Sequence, residues 1–86
     1  METRQFIADF NPEAVMWDGL DDAVIGITNN GNVVYDLNKM KEILYKQWSE
    51  DPDDDVTMDD VVEHIDYNIL GSYVGEFTPI HIIPVE

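Results

Sequence analysis

AVIGITNNGNVVYD, residues 23–36, is the stretch of sequence that decides the fold. Two runs rich in β-branched residues flank Asn30-Gly31, a dipeptide typical of a two-residue type I′ turn, because both central positions of that turn need a positive φ. The pattern therefore predicts a β-hairpin in which Ile27 lies opposite Val34. The predicted core face of this hairpin consists of three side chains: Ile25, Ile27 and Val34.

An amphipathic helix is predicted directly after the hairpin. Asp36 is a typical N-cap residue, and apolar residues then recur at helical spacing: Leu37, Met40, Ile43, Leu44 and Trp48. The only lysines of the chain, Lys39, Lys41 and Lys46, also lie in this segment. We therefore expect this helix to carry the least acidic surface of the protein.

A second amphipathic helix is predicted after Thr57, which forms a capping-box variant with Asp60 three residues later. At about 100° per residue, its apolar side chains cover one arc: Val61, Val62, Ile65 and Ile69. The opposite arc is an acidic ridge: Asp59, Asp60, Glu63 and Asp66. Either Gly71 or Gly75 can end the helix.

The two ends of the chain complete the predicted fold. Residues 1–22 form an N-terminal arm or a short helix, with Pro12 suited to a first helical turn after Asn11. Residues 78–85 read as a strand whose prolines confine it to a sheet edge or to strand ends. Residues 23–86 are then a single α+β domain with an acidic loop at 50–56. Its small three-stranded sheet, the β-hairpin plus the C-terminal strand, is covered by two amphipathic helices. The direction of the last strand stays open.

The charge of the chain limits its partners. Its 86 residues contain 4 Lys or Arg and 19 Asp or Glu, so the net charge is −15. Such a surface disfavours direct binding to nucleic acid or to an anionic membrane, and it favours basic protein surfaces.

The chain has no cysteine. We also find no signal peptide and no membrane span in the sequence, so we expect a cytoplasmic protein.

Neither metal binding nor catalysis is predicted. The acidic run that starts at Asp51 has the alternating carboxylates of a calcium loop, but Val56 and Val62 occupy the positions where an EF-hand has Gly and Glu. The motifs of metal hydrolases, nucleophile elbows and phosphate-binding loops are missing. His64 and His81 could serve an acid/base or metal site only if folding joined them to carboxylates. We therefore expect no enzyme activity, no catalytic residues and no cofactor.

An acidic protein-binding surface is the functional prediction from the residues alone. Seven of the eleven residues from 50 to 60 are acidic and none is basic. A domain about 30 Å across carries about the charge of duplex DNA of that length, which has roughly 18 phosphates. Seven aromatic residues could form a binding face: Trp17, Tyr35, Tyr45, Trp48, Tyr67, Tyr73 and Phe77. Trp17, flanked by acids, is the preferred anchor, whereas Trp48 and Tyr73 lie on or next to the apolar stripes and are expected in the core. The predicted partner-binding residues are Trp17, Glu50, Asp51, Asp53, Asp54, Asp55, Asp59, Asp60, Glu63 and Asp66.

Several tracts of the chain resemble a group of small acidic proteins encoded by tailed bacteriophages: residues 21–26, 33–36, 39–40, 42–44 and 59–80. The most specific tract is the closing Tyr-Val-Gly-Glu-x-Thr-Pro-Ile of residues 73–80. The resemblance implies a phage origin and a setting in the host bacterial cytoplasm, and it transfers no activity and no site residue. The acidic loop 50–56 departs from the group by its length.

Two functions remain open at this point. The first is a phage-encoded inhibitor that blocks the basic nucleic-acid-binding cleft of a host protein, partly by DNA mimicry. Anti-CRISPR and anti-restriction proteins are analogous in composition. The second is a phage regulatory or structural adaptor that binds a protein through an apolar patch around Trp17, Phe77 and the edge strand.

Overall fold

The computed structural model describes residues 2–50 and 55–85. Its helices are α1 (Thr3–Phe10), α2 (Leu37–Trp48) and α3 (Met58–Ile65), and α3 continues into a π-helical turn at Asp66–Leu70. A 3₁₀ turn at Asp21–Ala23 precedes the strands, which are β1 (Val24–Ile27), β2 (Val33–Asp36) and β3 (Ile80–Ile82). The predicted α+β fold with a three-stranded sheet is confirmed.

The sheet has the strand order β1-β2-β3 and mixed directions. β1 and β2 are antiparallel, and β3 lies parallel to β2, with Tyr35 opposite His81. β3 is thus an edge strand, as its prolines predict. It is shorter than the predicted strand, because it ends at Ile82, two residues before Pro84.

The hairpin register differs by one residue from the prediction. Ile27 pairs with Val33 rather than Val34, and the amide of Thr28 donates to the carbonyl of Asn32 over 2.8 Å. Only Gly31 in this loop has a positive φ, +96°, so the loop holds three residues and ends on one left-handed glycine. A two-residue type I′ turn fails here because Asn30 does not have a positive φ.

The predicted core face of the hairpin is therefore wrong. Val33 and Tyr35 are fully buried, while the register of β1 shifts between Val24 and Gly26. Ile25 stands at this irregularity and is 53% exposed. Of the three predicted core residues, Ile27 does pack against the core, and Val34 is half-buried.

Both predicted helices are confirmed, with the predicted caps. The Asp36 carboxylate accepts a hydrogen bond from the amide of Lys39 at the start of α2 over 3.1 Å. In α3, the Thr57 hydroxyl accepts from the amide of Asp60, and the Asp60 carboxylate accepts from the amide of Thr57. The buried side chains of α2 and α3 are those of the predicted stripes: Met40, Leu44, Val61 and Ile65, with Ile69 in the π-helical turn.

Residues 2–22 contain α1, which lies earlier than the sequence suggested. The helix ends at Phe10, and Pro12 lies in the turn that follows it instead of opening a helix. Asn11 links this end of α1 to the hairpin loop, because its amide group donates to the carbonyl of Gly31 over 3.1 Å. This N-terminal part contributes to the same hydrophobic core as the hairpin and the helices: Ile7, Leu20, Ala23, Val33, Tyr35, Met40, Leu44, Val61, Ile65 and Ile69.

Within the described ranges, no helix combines the length and the apolar character that crossing a bilayer requires.

Candidate protein-binding surface

The acidic residues of α3 and of the segments flanking the loop before it are all exposed. We call this set the acidic face, and its described members are Glu50, Asp55, Asp59, Asp60, Glu63 and Asp66. Three further predicted binding residues, Asp51, Asp53 and Asp54, lie outside the described residues. The whole segment 50–66 holds nine of the nineteen acidic residues of the chain and no Lys or Arg.

Helix geometry explains why the ridge on α3 faces solvent. Val61 and Ile65 are buried on the side of α3 that packs on α2. Asp59 and Glu63 are four residues apart on the other side, where helical side chains at this spacing lie about 6 Å from each other. The capping box fixes where the helix begins, and so fixes which residues form the ridge.

Asp60 has a structural role as well. One oxygen of its carboxylate accepts from the Thr57 amide over 3.1 Å, so this side chain is held against the N-terminus of α3. Negative charge at this end of a helix is also favoured by the helix dipole. Asp60 is therefore unsuitable for testing partner binding by mutation, because its loss weakens the helix.

Two of the four cationic side chains, Arg4 and Lys39, form ion pairs with acids that do not belong to the acidic face. Arg4 forms a bidentate contact with Asp21, at 2.7 and 3.0 Å, and its guanidinium also lies 3.4 Å from Asp18. Lys39 lies 3.7 Å from Glu42 on α2. Across residues 2–50 and 55–85, no ion pair involves a member of the acidic face. The negative charge of this face is therefore available to a partner.

Trp17 is not a free anchor on the surface. Its indole N–H donates to Nε2 of His81 over 2.8 Å, and the two rings are stacked with centroids 6.1 Å apart. Its backbone amide donates to the Tyr35 hydroxyl, also over 2.8 Å. The side chain is half-buried against the core and is bonded to β3, and the backbone amide is bonded to β2, whereas the acidic face belongs to α3 and the segment before it.

Burial sets the ionisation of the residues around Trp17. His81 stacks on Tyr35 as well as on Trp17, and burial lowers the pKa of His81 below its ordinary value. Since Nε2 accepts the indole hydrogen, the neutral ring carries its proton on Nδ1. Burial also raises the pKa of the Tyr35 hydroxyl.

The two histidines occupy different aromatic environments. His64 makes an edge contact with Trp48, at a centroid distance of 5.0 Å, and Nδ1 of its ring lies 3.2 Å from the Asn68 amide nitrogen. The hydrogen bonds of both rings within the described ranges go to Trp17 and Asn68, and none goes to a carboxylate. In the same part of the chain, no three His, Asp or Glu side chains form a group able to hold a metal ion.

Lowering the pH below about 6.5 is expected to destabilise the protein through His81. Because burial lowers its pKa in the folded state, the unfolded chain binds the proton first as the pH falls. The stability that neutral His81 contributes is complete above about pH 6.5 and is lost as the pH falls toward the folded-state pKa. His81→Gln should cost about 1–2 kcal/mol at neutral pH, for one hydrogen bond and the lost stacking.

Urea denaturation of the parent and of His81→Gln at pH 7.5 and 5.5 measures this effect. Titrating carboxylates act on both proteins, so the stability difference between the two isolates His81 and should shrink at the lower pH. His64→Gln serves as the control for the other histidine. An equal difference at both pH values would contradict the role given to His81.

Two of the aromatic residues considered for a binding face, Tyr67 and Tyr73, are highly exposed, and only Tyr73 was placed wrongly. Tyr73 was expected in the core but is 82% exposed, and Tyr67 is 78% exposed. Helical periodicity does not reach Tyr73, since the helical turns end at Leu70. Gly71 was the signal in the sequence that could have predicted this exposure, because a glycine there allows the helix to end before Tyr73.

Comparison of the chain with protein-family models, with curated proteins and with solved structures finds no match.

Proposed function

We propose that the protein binds the basic nucleic-acid-binding cleft of another protein and blocks it with carboxylates that take the place of phosphates. The observation that carries this proposal is the acidic face: nine acids without a cation in residues 50–66, with every described member exposed. A partner with clustered Lys and Arg gains the charges of the described members without displacing any ion pair seen in residues 2–50 and 55–85.

The dimensions of the molecule support the comparison with a duplex. The structure measures 41 × 28 × 25 Å, longer than the scaling with chain length suggests. A charge of −15 equals the phosphate charge of about 25 Å of B-DNA, at one charge per 1.7 Å. The nine acids of residues 50–66 alone correspond to about 15 Å of duplex, which is less than the shortest dimension of the molecule, so the mimicry is proposed for one face.

The proposed biological setting is the cytoplasm of a bacterial host. The resemblance of residues 21–80 to small acidic phage proteins supports it, and makes a host defence or transcription protein the proposed target. An inhibitor that occupies a nucleic-acid-binding cleft acts by binding alone, so this proposal requires no catalytic residue.

An adaptor function is favoured by a different observation. β3 is an edge strand, and Ile80, Ile82, Ile83 and Val85 are exposed along and after it. An unpaired edge with exposed apolar side chains can add a strand from another protein. This patch does not include Trp17, because the indole N–H of Trp17 already donates a hydrogen bond to His81.

Capture of partners from bacterial lysate at two salt concentrations separates the two functions. Raising the salt from about 0.1 M to about 1 M shortens the Debye length from about 10 Å to about 3 Å. A partner held by the acidic face should be retained at low salt and lost at high salt. Retention at high salt would contradict binding by charge and would support the apolar adaptor.

A further inference from the structure

The π-helical turn that continues α3, and the residues just after it, expose apolar side chains. Ile69 is the buried residue of the π-helical turn, whereas Tyr67 and Leu70 in the same turn are exposed. Tyr73 and Val74, just after the helix, are exposed as well. We call these four side chains the tyrosine end of α3. Aromatic side chains so exposed are the residue type that anchors protein interfaces.

The charge around this surface limits what can cover it. Glu63 lies four residues before Tyr67, and Asp66 is adjacent to it. Residues 47–86 contain no Lys or Arg. A second copy of this chain would bring another net charge of −15 to the same place, so self-association is opposed. The occupant that complements both the rings and the carboxylates is cationic.

Arginine complements tyrosine rings that lie beside carboxylates better than lysine does. Its guanidinium is planar and weakly hydrated, so it can stack on a tyrosine ring while its N–H groups donate to a neighbouring carboxylate. Lysine carries a compact, strongly hydrated ammonium group that gains less from an aromatic face. Glu63 and Tyr67 are one helical turn apart, a spacing at which side chains are neighbours.

We propose that the tyrosine end of α3 is a docking surface for arginine side chains of the basic partner, an inference that rests on the proposed function. The acidic ridge attracts lysine-rich and arginine-rich surfaces alike. The tyrosines then select partners whose basic residues are arginines.

Two peptides of equal charge test this selection: deca-arginine and deca-lysine. Both are titrated into the full chain at fixed salt, and binding is followed by calorimetry and by the NMR signals of the tyrosine rings. We expect deca-arginine to bind about tenfold more tightly, which corresponds to about 1.4 kcal/mol. We also expect the ring signals of Tyr67 and Tyr73 to shift with arginine more than with lysine.

Matched variants test whether the two tyrosine rings cause the preference for arginine over lysine. The double substitution Tyr67→Leu and Tyr73→Leu keeps apolar side chains but removes both rings, and should bring the two affinities together. Tyr45→Leu, on α2, removes an exposed ring elsewhere and should leave the preference unchanged.

The outcomes separate this inference from the function on which it rests. Equal affinities of the parent protein for the two peptides, or a preference that survives loss of both rings, would overturn the inference while leaving binding by the acidic face in place. If neither peptide binds even at low salt, both proposals are overturned.

Discussion

Gly31→Ala should lower the free energy of unfolding by about 3 kcal/mol or more. The φ of Gly31 is +96°, where a residue with a Cβ costs about 1–3 kcal/mol. The added Cβ would also collide with the side-chain amide of Asn11 and lie 3.1 Å from the Phe77 ring. Because that amide holds the Gly31 carbonyl, the substitution disturbs the contact between α1 and the hairpin loop. Urea denaturation followed by circular dichroism measures the loss.

Two other glycines separate backbone strain from crowding. Gly75 has a φ of +103° but open space around a Cβ, so Gly75→Ala should show the strain alone, about 1–2 kcal/mol. Gly26 also has open space and lacks a positive φ, so Gly26→Ala should change the stability little. If Gly31→Ala cost no more than Gly75→Ala, the close approach of Asn11 would be contradicted. If it cost as little as Gly26→Ala, the left-handed glycine that ends the three-residue loop would be contradicted as well.

The starts of α2 and α3 could be predicted from the sequence because their signals are local. The hydrogen bonds of Asp36 and Thr57 reach only three residues along the chain. The spacing of Val61, Ile65 and Ile69 likewise predicted the buried side of α3, and so the exposed ridge opposite it.

The hairpin register could not be predicted, because distant residues help to hold the loop. Asn30-Gly31 is compatible with a two-residue or a three-residue loop. In the structure, the Asn32 side-chain amide donates to the carbonyls of Glu76 and Thr78, each over 3.0 Å, and Asn11 holds Gly31. None of these contacts leaves a periodic signal near the hairpin.

Contact with a residue distant in the sequence also explains why the environment of Trp17 could not be predicted. Its hydrogen-bond partner His81 is 64 residues away in the sequence, so the flanking acids could not show that this half-buried indole is bonded to β3. The acids of α3 were placed correctly on the surface because a helix position follows from spacing alone. What those acids bind is not encoded in their spacing, and the binding role stays a proposal.

Reversing the charge of the acidic face should weaken binding to the partner by about 100-fold or more. The variant carries Lys at positions 55, 59, 63 and 66, through Asp55→Lys, Asp59→Lys, Glu63→Lys and Asp66→Lys. All four side chains are exposed, so the fold should persist, with a loss of about 0.5 kcal/mol for a cation in the first turn of α3. Attraction to a basic cleft becomes repulsion, and like charges placed together cost several kcal/mol.

A second variant has the same change in net charge at other exposed positions. It combines Glu2→Lys, Asp9→Lys, Glu13→Lys and Glu76→Lys, and leaves residues 50–66 unchanged. We expect it to lose less than about tenfold in affinity, since distant exposed charges are screened beyond about 10 Å at 0.1 M salt. Comparison of the two variants distinguishes a binding face from net charge alone.

Displacement of a labelled DNA duplex from the captured partner tests the central claim most directly. The account predicts that the protein releases the duplex, that the variant with Lys at positions 55, 59, 63 and 66 does not, and that the control variant with equal net charge does. A ternary complex of partner, duplex and protein would contradict the claim that the acidic face occupies the nucleic-acid-binding cleft, as would equal displacement by the two variants.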